Sequence, residues 1–135
     1  MLNHRILLIS CILAPAFVQN SAFAEDQCFN LASHAEARAC LDAHAKESAL
    51  AVTNAENSLR STLSNWDQEQ QYKTRSISKL DTSATQFQRY RKAQCDLQAS
   101  LAAGGNAAGD RRLLCHIALD EKRVAELQAA KESLK

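Results

Sequence analysis

The chain has 135 residues, 46% of them hydrophobic and 23% charged, with a formal charge of +1. That length holds one core, and the composition is that of an ordinary globular domain, which excludes a disordered chain and a bundle of membrane spans. One Pro, three Gly and 5% aromatic residues supply too few turn formers for a β-sandwich or barrel and too few rings for a nucleic-acid stacking platform, so an all-α domain is expected.

In chain order, the first element is an address. Arg5 precedes an apolar run from Ile6 to Val18, and Ala22-Phe23-Ala24 puts small residues where a signal peptidase cuts. Residues 1–24 are read as a cleaved leader and residues 25–135 as a helical domain, periplasmic or secreted. The apolar run of about 13 residues is short of the roughly 20 that cross a bilayer as a helix, so no stable membrane span is expected. Leu8-Ile9-Ser10-Cys11 has the form of a lipobox, which would make Cys11 a lipid anchor. The apolar stretch before it is short for export, and cleavage after Ala24 is the preferred reading.

A short N-terminal arm carrying Cys28 follows. Ser33 and Glu36 form a capping-box pattern, Ser followed three residues later by Glu, so the first long helix is expected to begin there. Ala45, Ala49, Val52, Leu59, Leu63 and Trp66 then recur at helical steps along one face, with Trp66 an interior anchor near the end. The polar segment from Asp67 to Ser78 lacks that rhythm and reads as the connection to a second helix. Ile77, Leu80, Ala84, Phe87, Cys95 and Leu101 continue the pattern. Gly104-Gly105-Asn106 and Gly109-Asp110 break it. Leu113, Ile117, Val124, Leu127 and Leu134 mark a third helix. The expectation is a small disulfide-linked antiparallel bundle of about three long helices.

Past the leader four cysteines remain, Cys28, Cys40, Cys95 and Cys115, an even count in an exported chain, where disulfides are the normal state. Three connectivities are possible. One continuous helix over residues 28–40 would hold its end cysteines roughly 18 Å apart, whereas a bridge needs Cα atoms within about 7 Å. Cys28–Cys40 therefore requires a reversal near residues 30–33, just where the cap signal starts the helix. Cys95 and Cys115 stand at equal distances from residue 105, so an antiparallel hairpin brings them face to face.

Charge is unevenly spread. Residues 25–70 hold eight acidic and three basic side chains, and residues 71–135 seven and twelve, so the two halves cancel. A neutral domain does not suit a phosphate-bound surface, and no nucleic-acid partner is expected. The opposed halves are read as helices that attract each other. His34, His44 and His116 are read as solvent-facing or packing residues, because oxidised sulfur is a poor ligand and no two histidines have i, i+4 spacing. No metal site, cofactor or enzymatic activity is expected, since no nucleophile elbow, paired-carboxylate motif, Walker loop or zinc-protease motif is present.

Phe87-Gln88-Arg89-Tyr90-Arg91-Lys92-Ala93-Gln94-Cys95, then Gly104-Gly105, then Cys115 followed by Leu119, Arg123 and Leu127, resembles the LprI-type lysozyme inhibitor family. The likeness covers most of residues 28–127. It extends to the N-terminal Cys pair about a dozen residues apart, and departs at Ala84, Phe87, Lys92 and Asp120, where the family usually has Gln, Trp, Asp and Thr. The resemblance implies a helical, disulfide-linked envelope or secreted domain, with lysozyme inhibition the named activity of one branch.

Hairpin symmetry gives the motif a physical expectation: Phe87 opposite Arg123, Tyr90 opposite Asp120, Arg91 opposite Leu119 and within reach of Asp120. Phe87, Tyr90, Arg91, Gly104, Gly105, Asp120 and Arg123 are thus expected to join helices. The expected function is occlusion of lysozyme or another muramidase, with Glu36, Asp42, Glu47, Glu56, Asp67 and Glu69 as a partner-facing acidic strip that steers a cationic enzyme. The competing expectation is an envelope structural, adaptor or immunity-type protein with a non-lysozyme partner.

Overall fold

The computed structural model describes residues 27–134; the expected leader and Cys11 lie outside them. Three long helices follow one another: α1 (His34–Ser64), α2 (Gln70–Ser100) and α3 (Asn106–Glu132). At 1.5 Å per residue each rod is roughly 40–47 Å long. Short connections, residues 65–69 and 101–105, force successive helices antiparallel, so α1 and α3 run the same way. α3 is the most heavily packed, against α1 first and α2 second, while α1 and α2 touch least. No described helix is long and apolar enough to cross a membrane.

The expected start of α1 is the observed one. Ser33 is extended at the N-cap, and its Oγ accepts from the Glu36 backbone N at 3.3 Å. The same hydroxyl lies 3.1 Å from Glu36 Oε2, to which it donates. The chain bends through residues 30–33, and Cys28 joins Cys40 across a Cα separation of 5.6 Å. At the other hairpin, Gly104 (φ 94°) and Gly105 (φ 76°) hold left-handed backbone, and Cys95 joins Cys115 with Cα atoms 5.4 Å apart.

Two expectations need correction. The Asp67–Ser78 connection shrinks to residues 65–69, because α2 already begins at Gln70. Its first turns are polar but made of good helix formers such as Gln, Lys and Arg, and Gln70 Nε2 donates 3.3 Å to Thr74 Oγ1 one turn on. A helix longer than the core it serves needs no apolar face at its end. Leu101, read as core, is instead 61% exposed, because it follows the last turn of α2 as its C-cap residue.

The core is split. Leu59, Leu63, Leu80 and Leu127 form one apolar cluster, with Ala55, Trp66, Ile77 and Leu134 packed on it. Trp66, expected as an interior anchor, is half-buried in the connection just past α1 and packs on this cluster from its edge. Cys28, Leu41 and Ile117 form the other, flanked by Cys40, Ala45, Leu113 and Leu114. Each fully buried Leu or Ile contributes about 2 kcal/mol of apolar transfer.

Candidate functional site

Between the two clusters the bundle buries polar side chains beside Val52. Asp120 of α3 is 1% exposed. Arg91 Nη2 of α2 donates to its Oδ2 at 2.6 Å, and Ser48 Oγ of α1 donates to the same oxygen at 3.0 Å. One turn further along α3, Arg123 Nη2 donates 3.4 Å to Glu56 Oε1 of α1 while its guanidinium lies 5.4 Å from the Phe87 ring centroid of α2. Each set draws one side chain from every helix. A buried carboxylate requires such partners, and a guanidinium over a phenyl face adds a cation–π attraction.

This places the hairpin motif. Phe87 does face Arg123, and Arg91 reaches Asp120. Tyr90 does not face Asp120: it is 55% exposed. Successive residues are turned by about 100° on a helix, so Arg91, in step with Phe87 and Cys95, points inward and carries Tyr90 outward. Leu97 and Leu101, seven and eleven residues after Tyr90, share its side of α2 and are 53% and 61% exposed.

The bridged end holds a second ion cluster. Asp110, buried in the first turns of α3, lies 2.8 Å from His34 Nε2 and accepts from Arg38 Nη1 at 3.1 Å. Gly109 leaves room for this arrangement, since a Cβ there would meet the Arg38 guanidinium. His44 stands one turn after Cys40 beside the Cys28–Cys40 bridge, with its Nδ1 3.6 Å from Glu47 Oε2. His116 is half-buried; burial first, then the neighbouring Arg91 charge, push its imidazole below the ordinary histidine range.

The acidic residues do not form one strip. Glu36 and Glu47, three turns apart, share the outer side of α1, whereas Asp42 is turned away by roughly 120° and is half-buried. Glu56 faces the bundle, its side chain 17% exposed and paired with Arg123. It is therefore not a partner-facing group. Asp67 and Glu69 are exposed in the connection at the opposite end from Glu36, Asp67 in a depression beside Trp66. Glu69 Oε2 accepts from Gln71 Nε2 at 2.8 Å.

The family model of lysozyme inhibitor LprI matches residues 25–127, which takes in both bridges, the hairpin motif and the polar layer. The chain belongs to the LprI lysozyme inhibitor family. No curated protein and no solved structure matches it. The LprI family is named for inhibiting an enzyme and not for catalysis. In this LprI-family chain the motif residues divide by side of helix. Phe87, Arg91, Asp120 and Arg123 lie between the helices, Gly104 and Gly105 make the turn, and Tyr90 stands on the surface. Sequence reasoning missed the Asp110 cluster, the role of Ser48 and the Tyr90, Leu97 and Leu101 face. The last left a readable trace, a seven-then-four apolar spacing out of step with Phe87, Arg91 and Cys95.

Proposed function

We propose that the protein is an exported inhibitor that binds a lysozyme-type muramidase and occludes its glycan cleft, acting in the periplasm or outside the cell after removal of residues 1–24. The match of the lysozyme inhibitor family over residues 25–127 carries this reading. The geometry supports it in kind. Two bridges and a three-helix polar layer fix a stiff body, and a stiff surface loses little entropy on docking. Tyr90, Leu97 and Leu101 give α2 an exposed aromatic and aliphatic face turned away from α1 and α3, the composition of an interface centre. Glu36 and Glu47 on the outer side of α1, with Asp67 and Glu69 at the far connection, steer a cationic enzyme without forming the contact itself. Glycosidases of this kind work with a carboxylate pair flanking the scissile bond, so a body seated over the cleft stops the reaction without chemistry of its own.

Purified domain is expected to slow lysozyme-driven lysis of cell walls in a dose-dependent way, less so at high salt. Tyr90→Ala is expected to weaken inhibition by roughly 30-fold, the loss of a central interface residue at about 2 kcal/mol. Absence of inhibition at micromolar protein disposes of the function, and full inhibition by the Tyr90 variant disposes of the docking face.

A further inference from the structure

Cys40 and His44 are four residues apart on α1 and so project to one side of it. The N-terminal arm lays Cys28 against the same turn. One donor atom from each of the three residues, two sulfurs and a ring nitrogen, lie within 4.8 Å of one another. In the oxidised protein the sulfurs are bonded to each other and neither has thiolate charge to offer a cation. The dithiol is chemically different, since two thiols and an imidazole are a donor set suited to Zn2+. Zinc needs the sulfur separation to widen from a covalent bond to the span of two Zn–S bonds of about 2.3 Å each, a side-chain rotation at Cys28, which lies outside the long helices although it is buried against Leu41 and Ile117. Glu47, its exposed carboxylate 3.6 Å from His44 Nδ1, is close enough to move to hydrogen-bond distance and orient a metal-binding imidazole, as carboxylates commonly do. Cys40 and His44 are only half-buried, which leaves an entry path.

We propose that Cys28, Cys40 and His44 form a Zn2+ site in the reduced protein, with Glu47 orienting the imidazole, and that the ion and the Cys28–Cys40 bridge are alternative occupants of this end of the bundle. Every newly made chain passes through the dithiol state. Zn2+ displaces one proton from each thiol and withdraws both sulfurs from oxidation. Once the ion dissociates, a freed thiolate attacks an oxidised disulfide carrier: the carrier's S–S bond breaks, the Cys28–Cys40 bond forms, two electrons pass to the carrier, and its two sulfurs take up two protons from solvent. The Cys95–Cys115 pair belongs to no such three-donor group among the described residues and serves as an internal control.

The test is a zinc titration of untagged protein after anaerobic reduction by a water-soluble phosphine. The phosphine takes its oxygen from water, and each sulfur gains a proton. With a chromophoric chelator as competitor, one Zn2+ per reduced chain is expected and none per oxidised chain. His44→Ala is expected to weaken binding by at least tenfold and Glu47→Gln by about tenfold, while the double variant C95S/C115S keeps the stoichiometry. Zinc should also slow re-formation of the Cys28–Cys40 bridge by oxidised glutathione, and do so much less in His44→Ala. Equal affinity in wild type and His44→Ala overturns the proposal, as does binding that follows Cys95 and Cys115. A reduced chain that takes up no zinc, helical or unfolded, overturns it too.

Discussion

At the scale of single residues, the decisive group is Asp120. Its carboxylate is nearly inaccessible and is satisfied by Arg91 and Ser48 from two other helices. Removing one partner of a buried pair leaves the other charge desolvated and alone, at a cost of about 3 kcal/mol, whereas replacing both by apolar groups is often neutral. Asp120→Ala is therefore expected to lower urea-unfolding stability by about 3 kcal/mol, and the double variant R91L/D120L to recover most of it. If both variants unfold like wild type, the layer does not hold the helices. His116, in the same region, adds a pH dependence. Burial and Arg91 keep it neutral in the folded state at acidities where a free histidine, with its ordinary pKa of 6.5, has already bound a proton. Below pH 6.5 the unfolded chain holds more protons, so stability falls as the pH falls, until the folded imidazole protonates as well; above 6.5 the contribution vanishes. His116→Gln is expected to reduce the drop in Tm between pH 7 and pH 5, and an unchanged drop refutes the assignment.

At the scale of elements, caps and breakers were legible and polar helix ends were not. Ser33 and Glu36 announce the start of α1 because their hydroxyl and carboxylate serve neighbours only three residues away. The start of α2 carries no such mark: Glu69 makes no side-chain cap, and residues 70–76 owe their helicity to propensity and to the helix they continue. The turn from α2 to α3 needs three consecutive left-handed residues, of which Gly104 and Gly105 are suited and Ala103 (φ 51°) is not. A Cβ in that conformation costs about 1 kcal/mol. Ala103→Gly is thus expected to raise Tm by roughly 4 °C, read by thermal circular dichroism; a lower Tm would show that the turn gains nothing from glycine there.

At the scale of the whole molecule, the opposed charges of the two halves turn out not to organise the packing. Glu56–Arg123 pairs an acidic α1 residue with a basic α3 one, but Arg38–Asp110 and Arg60–Asp81 run the other way. Net charge counts side chains that stand in water, where screening makes them nearly independent beyond about 10 Å. Pairs form where packing brings two groups together. Helix number, the hairpin about residue 105 and the Cys95–Cys115 bridge are legible in the chain alone, because apolar period, capping and loop breaking are local signals and that bridge needs only matched heights on two rods; Cys28–Cys40 needs in addition the reversal through residues 30–33 that packs the arm on α1. Burial of Asp110 and Asp120 was decided by tertiary structure, since their partners Arg38 and Ser48 lie 72 residues away in each case. The outward turn of Tyr90 was decided there as well: one step of a helix separates an interhelical side chain from a surface one, and the spacing of Tyr90, Leu97 and Leu101 marks a second face without saying which of the two the packing buries.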